Sequence, residues 1–241
     1  AVVTGLGPKV SFLDCCRSED LPADFVDACQ RFSYGRVSIC RVHYALNEAP
    51  VWKNGSDMSA CAFQRIFHSV GDIDRQYGEI IAGIAPTRPF LWVACWTTLD
   101  PSRAPNGKHT LIMDTFVPSH LATGESWHAL KEEYTEQSML PILREHAENM
   151  SDDNILGAYY DTGVSLEAAN PCFVDGNTTG GERTLSQMGY FRPLPGYSQY
   201  KSPLKNLYMT GPSCHPGGGI TAMGTITADI ILKELKDQNA Y

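Results

Sequence analysis

The sequence predicts an α/β chain with an α+β centre, and three patterns carry that expectation. Short apolar runs stopped by glycine stand near both ends of the 241 residues, AVVTGLG at 1–7 and NLYMTG at 206–211, each reading as a buried strand that opens into a loop. Between them, several segments alternate apolar and polar residues at the two-residue period of a half-buried strand. Two stretches, 126–150 and 222–236, carry helical spacing instead. With 43% hydrophobic and 19% charged residues there is material for a real core, which excludes disorder and coiled-coil or collagen-like architecture.

Taken in order, AVVTGL is a strand stopped by Gly5, Gly7 and Pro8. LPADFVDACQRF at 21–32 reads as a short helix, because Pro22 suits a first turn and Phe25, Ala28, Cys29 and Phe32 form one stripe. RVSICRVHYALN at 36–47 alternates through Val37 and Ile39, then Val42, Tyr44 and Leu46, and the slip near Arg41 predicts a bulge. A weaker helical pattern covers 58–77. PFLWVACWTTLD and KHTLIMDTFVP resume the strand period around an Asn106-Gly107 turn signal, so an antiparallel sheet of three to five strands is expected. In the long helix at 126–150, Leu140, Ile142 and Leu143 face inward, and Pro141 should kink or split it, because proline lacks an N–H and clashes with the preceding turn. DDNILGAYYDTGVSLE, a loop at 177–181 and the Pro-rich FRPLPGYSQYKSP lead to the closing strand and a helix with Ile226, Ile230, Ile231 and Leu235 on one side.

Charge and cysteine usage narrow the classes of function. Nineteen Lys and Arg against 27 Asp and Glu give a net charge of −8 with no basic run, which argues against a nucleic-acid partner held by phosphate neutralisation. No stretch reaches the roughly 20 apolar residues of a membrane span; the nearest, 220–232, is broken by Thr, Gly and Asp. The eight cysteines, at 15, 16, 29, 40, 61, 95, 172 and 214, form no CxxC pair and no zinc spacing. Read as free packing thiols, they predict a cytoplasmic protein without a structural metal. A start at Ala1 with no basic-then-apolar leader reads as a processed chain or one piece of something longer.

One segment carries chemistry: NLYMTGPSCHPGGGITAMG at 206–224, a strand running through Gly211, Pro212, Pro216 and three consecutive glycines into a helix. Glycines there remove every side chain where the chain turns, so backbone N–H groups approach a flat or anionic ligand closely, next to a helix N-terminus. The plainer alternative is an ordinary strand–loop–helix connection whose glycines serve only the turn. The pattern is neither GxGxxG nor a Walker loop.

The stretch Arg192-Pro193, Pro195-Gly196, Tyr200, Ser202-Pro203, Leu207-Tyr208, Gly211 and His215-Pro216-Gly217-Gly218-Gly219 resembles the C-terminal motif of the phytoene-desaturase-like flavoproteins of the amine-oxidase-type superfamily. Within them it is most similar to the phytoene-dehydrogenase-related and pyridine nucleotide-disulfide oxidoreductase domain-containing proteins. AVVTGLGPKVSFLDC resembles their mid-chain FAD-domain strand, and 21–52 the entry to their substrate domain. Ser202, Cys214 and Met223-Gly224 depart from the usual pattern. The resemblance implies a Rossmann-like FAD-domain strand and loop at 1–16, a mixed-sheet substrate-binding domain at 17–185 and an FAD-binding segment at 186–241. It implies FAD as cofactor, held by Gly211, Pro212, His215, Pro216, Gly217, Gly218, Gly219, Ile220 and Thr221, and hydride transfer on a largely apolar small molecule. Because the family's N-terminal GxGxxG segment has no counterpart here, it implies that the dinucleotide-binding half is carried by a second polypeptide, hence a hetero-oligomer, or was lost by cleavage. A peripheral membrane contact is compatible with such a substrate.

His215 is the candidate catalytic residue, as a proton relay near neutral pH or, more plainly, as a loop-ordering histidine. Tyr159, Tyr160, Gln187, Tyr190 and Arg192 are candidate substrate residues, with a structural salt bridge as the alternative for Arg192. Trp92 and Trp96 would serve as tunnel walls or, more simply, as core. Two other functions fit the same residues: a non-catalytic subunit stabilising a flavoprotein, and an apolar-ligand-binding module.

Overall fold

The computed structural model of the chain describes residues 1–55, 61, 63–218 and 222–238. In chain order its elements are β1 (Val2–Thr4), α1 (Ala23–Arg31), β2 (Val37–Leu46), β3 (Gln64–Ile66), α2 (Val70–Ile81), β4 (Leu91–Ala94), β5 (His109–Pro118), α3 (Trp127–Tyr134), α4 (Leu140–His146), β6 (Ile155–Thr162), α5 (Gly163–Ala169), β7 (Leu207–Met209) and α6 (Met223–Gln238). They fall into two compact units, one of Ala1–Gly35 with Asn170–Tyr241, the other of Arg36–Ala169. The α/β class holds, and its mixed character lies between the units: a two-stranded parallel sheet in the first, a five-stranded antiparallel sheet in the second.

In the first unit β1 runs parallel to β7, with Val2 opposite Leu207 and Thr4 opposite Met209. Contrary to the buried strand expected, Val2 and Val3 are 63% and 48% exposed, and neither joins the core of this unit. The stripe of α1 behaves as its spacing predicts: Phe25 and Cys29 are fully buried, with Phe25 edge-on to Phe12 and Tyr197 at 4.8 and 4.6 Å between ring centres. They share one core with Phe32, Tyr34, Leu194, Tyr200, Met209, Cys214 and Met223. That shared core brings 17–35 and 170–185 into one compact unit with the chain's two ends.

The second unit is a sheet in the order β3-β4-β5-β2-β6, every neighbouring pair antiparallel, with α3 and α4 on one face. Its core face takes the even positions of β2, from Cys40 to Leu46, with Leu111, Met113 and Val117 of β5, packed against Tyr134, Met139, Leu140 and Leu143. Truncating such a leucine to alanine typically costs about 2–5 kcal/mol. Ser38 therefore lies on the core side and Ile39 on the other, so the alternation read through Ile39 was out of phase, and the register shift falls at Ala45/Leu46 rather than at Arg41. The helix expected over 58–77 is instead β3 followed by α2, which starts later because Ser69 and Asp72 form a reciprocal capping box; residues 58–60 and 62 lie outside the described residues. Pro141 does interrupt the long helix: a five-residue π segment, Thr135–Met139, separates α3 from α4 and absorbs the missing N–H.

Candidate functional site

In the first unit the two parallel strands end alike, β1 in Thr4-Gly5-Leu6-Gly7 and β7 in Thr210-Gly211-Pro212-Ser213. The loops are locked together, with Thr210 N donating to Thr4 O at 2.9 Å and Gly211 so close that a β-carbon on it would stand 2.9 Å from Gly5 O. A side chain on Gly7 would collide with the Tyr34 hydroxyl. Both the Tyr34 hydroxyl and Thr210 Oγ1 are buried with no hydrogen-bond partner among the described residues. Burial, with Cys172 and Asp14 nearby, pushes the Tyr34 phenol up to about 12, so it stays a neutral donor.

The following turn is built from backbone. Cys214 N donates to Gly211 O at 3.0 Å, Gly218 N to Pro212 O at 3.2 Å, and the Tyr200 hydroxyl to His215 O at 2.5 Å. Gly217 and Gly218 take φ of +85° and +61°. A β-carbon on Gly217 would sit 2.6 Å from Arg192 Nε, and one on Gly218 would clash with the Arg183 guanidinium. His215 and Pro216 are exposed on this turn, while Gly211, Pro212, Gly217 and Gly218 are half-buried. Gly219, Ile220 and Thr221 lie outside the described residues. The Cys214 thiol is buried and pushed up to about 12 by burial, against the opposing pull of Arg192, so it is no nucleophile.

Arg192 organises this region from inside. It is fully buried, and its three nitrogens donate to five carbonyls: Pro212, Glu182, Gln187, Thr179 and Gly180. It makes no ion pair among the described residues, and all its donors are spent on loop carbonyls. Gln187 is also committed, its amide accepting from Ser33 N at 2.9 Å and donating to Ser33 O and Glu182 O at 2.7 and 3.1 Å. It lines a pocket of about 350 Å³ with Phe32, Phe191 and Leu194. Tyr190 is 66% exposed and touches Phe191 edge-on.

The second unit offers a different surface, the sheet face opposite α3 and α4. One cross-strand row there reads Arg65, Trp92, Asp114, Arg41, Asp161 across β3, β4, β5, β2 and β6. Arg65 lies over the Trp92 ring at 4.5 Å, and Trp92 meets Phe63 and Phe116 edge-on. Arg41 Nε and Nη2 both reach Asp114 Oδ2, at 3.0 and 2.5 Å, and His43 Nε2 stands 3.6 Å from Asp161 Oδ2. Burial and Arg41 lower the His43 pKa against the pull of Asp161 and Asp114, which keeps the imidazole neutral near pH 7. Tyr159 is on this face beside His43, 6.1 Å between ring centres. Tyr160 is not: it packs against the core side, and its hydroxyl donates to Glu136, which also accepts from Tyr44. The sequence reading missed Arg41, His43, Asp114 and Asp161, whose signal was charge at two-residue spacing inside apolar strands. Trp96 sits in a short 3₁₀ turn after β4, off the sheet.

Cys15, Cys16, Cys29, Cys40, Cys95, Cys172 and Cys214 are free thiols, and among the described residues no group of three or more His, Cys, Asp or Glu is placed to hold a metal ion. No described helix is long and apolar enough to cross a membrane.

No protein-family model matches the chain. Along 98% of its length it is 25% identical to pyridine nucleotide-disulfide oxidoreductase domain-containing protein 2 of Rattus norvegicus, and along 95% it is 27% identical to one of the subunits of limonene dehydrogenase from Castellaniella defragrans. The chain spans 42% and 43% of these relatives' own lengths. Among solved structures, an oxidoreductase from Methanosarcina mazei overlays with a TM-score of 0.46 at 15% identity, covering 97% of this chain and 42% of that one.

Proposed function

We propose that the protein is the flavin- and substrate-binding part of an FAD-dependent oxidoreductase related to the phytoene-desaturase-like enzymes, the dinucleotide-anchoring half of such enzymes lying outside these 241 residues. The observation that carries this reading is the pair of glycine loops at the carboxyl ends of β1 and β7, the place where parallel sheets bind ligands. Side chains are excluded from those loops by contact, and two buried hydroxyls there lack partners among the described residues. Such a wall fits a flat, hydrogen-bonding ring. The names of the relatives, an oxidoreductase domain protein and part of a dehydrogenase, support the reaction class.

FAD, when bound, supplies the two-electron chemistry, taking a hydride from a substrate C–H bond or returning one. The chain's own part is to hold and orient. Gly211, Pro212, Gly217 and Gly218 would present backbone to the ring; Gly219, Ile220 and Thr221 belong to the same proposed motif in sequence and lie outside the described residues. Arg192 holds the loops by five carbonyls, so the wall is preorganised at no cost during reaction. His215, exposed on the same turn, is the group that carries a proton. The sheet face of the second unit opposite α3 and α4, with Trp92, Phe116 and Tyr159 around a neutralised row of charges, suits a largely apolar small molecule. The free thiols of Cys15, Cys16, Cys29, Cys40, Cys95, Cys172 and Cys214 fit a reducing, cytoplasmic setting.

The test is a visible spectrum of the protein purified from its native source, with intact mass spectrometry of every chain present. Flavin bands are expected, and the masses show whether the dinucleotide-anchoring half belongs to the same polypeptide or to a second one. A colourless, folded, single chain overturns the reading and leaves an apolar-ligand-binding module.

A further inference from the structure

Arg183 is the one feature of this region that the flavin reading leaves unused. Its guanidinium lies against Gly218, so closely that a β-carbon there would overlap Nη2, while Arg192 takes the same position against Gly217. Two consecutive glycines thus each carry a guanidinium. The two arginines differ in what they hold. Every nitrogen of Arg192 is bound to carbonyls, which satisfy its donors and leave its charge uncompensated. Arg183 is exposed and makes no hydrogen bond or ion pair among the described residues. The neighbouring Glu182 turns its side chain to Gly35 instead. Burial is the main cause that lowers the Arg192 pKa, and the charge of Arg183 lowers it further, so the positive field is felt within the pair. In a chain of net charge −8, two adjacent guanidinium groups without a carboxylate are an electrostatic cost unless an anion completes them.

We infer that Arg183, over the Gly217-Gly218 turn, is an anion-binding residue that takes a delocalised oxyanion group. The planar fork of guanidinium suits such a group, and the absence of β-carbons lets it lie against the backbone. Two sources present that chemistry: the electron-rich pyrimidine edge of a flavin, in which case the inference rests on the proposed function, and a free or substrate-borne phosphate, in which case it does not.

The test uses the whole protein and inorganic phosphate as probe, at ionic strength held constant with chloride. Phosphate is expected to bind and raise the melting temperature, with affinity falling about tenfold in Arg183→Gln, the loss of one charge-assisted contact, and partly restored in Arg183→Lys. Arg183 has no partner to lose among the described residues, so circular dichroism of the variants should match the parent. Phosphate excluded by flavin loading, with a more negative flavin potential in Arg183→Gln, assigns the anion to the flavin edge. Phosphate that still binds the flavin-loaded protein assigns it to a phosphate ligand. If the protein holds no flavin but phosphate binding depends on Arg183, the anion site stands and the flavin reading falls. Equal phosphate affinity in parent and Arg183→Gln, or none above chloride, overturns the inference even when flavin is present.

Discussion

The two units place arginine charge in opposite ways. In the first, Arg192 is fully buried and capped by carbonyls alone, so the loops it ties are rigid and their surroundings stay positive. In the second, Arg41 lies on an open sheet face and is matched by Asp114, with side chains 32% and 14% exposed, so the surface is polar in composition and neutral in sum. The difference is one of use. A guanidinium spent on carbonyls organises backbone and attracts an anion; one spent on a carboxylate leaves a surface over which an uncharged ligand can lie.

The sharpest way to break the comparison is to remove the buried charge. Arg192→Met should destabilise the first unit by about 3–5 kcal/mol, because five carbonyls lose their donor together. Urea unfolding measures this, and a loss below about 1 kcal/mol would show that the loops hold themselves. Gly181→Ala comes next, at about 2–3 kcal/mol: its φ is +121° and the new β-carbon would strike the buried Phe32 ring. Alkaline pH should weaken the first unit as well. Burial pushes the Cys29 and Cys214 thiols from 9.0 to about 12. The unfolded chain therefore releases protons first, and stability that is complete below pH 9 falls as pH rises towards 12. Denaturant midpoints across that window should decline, less steeply in Cys214→Ala. In the second unit, a double-mutant cycle on Arg41→Gln and Asp114→Asn should give a coupling of about 1 kcal/mol, reduced by solvent screening at this half-open site. Smallest of all, Leu185→Ser should change stability by no more than about 0.5 kcal/mol, since that side chain is 93% exposed.

What the sequence made legible was local. The stripe of α1, the break at Pro141 and the glycine turn after β7 follow from spacing, proline chemistry and missing β-carbons, all visible within a dozen residues. The interleaving of 1–35 with 170–241 was not legible, because nothing in a window around Phe25 says that Leu194 completes its core. The phase of β2 was misread because Ile39, though buried, faces away from the core of Cys40, Val42, Tyr44 and Leu46 while Ser38 shares their side, an inversion that only sheet pairing reveals. The α2 start was written in Ser69 and Asp72 and overlooked. Arg192 misled for a physical reason: an arginine suggests an acidic partner, and its partners here are carbonyls, which carry no sequence signature.

The central claim is that the glycine loops of the first unit are the cofactor wall. Hydrogen exchange of the purified complex, flavin-free and then reloaded with FAD, tests it most directly. The account predicts new protection at 5–7 and 211–218, with β2, β4 and β5 of the second unit unchanged. Protection confined to the second unit, or no change at either loop on FAD loading, would contradict it.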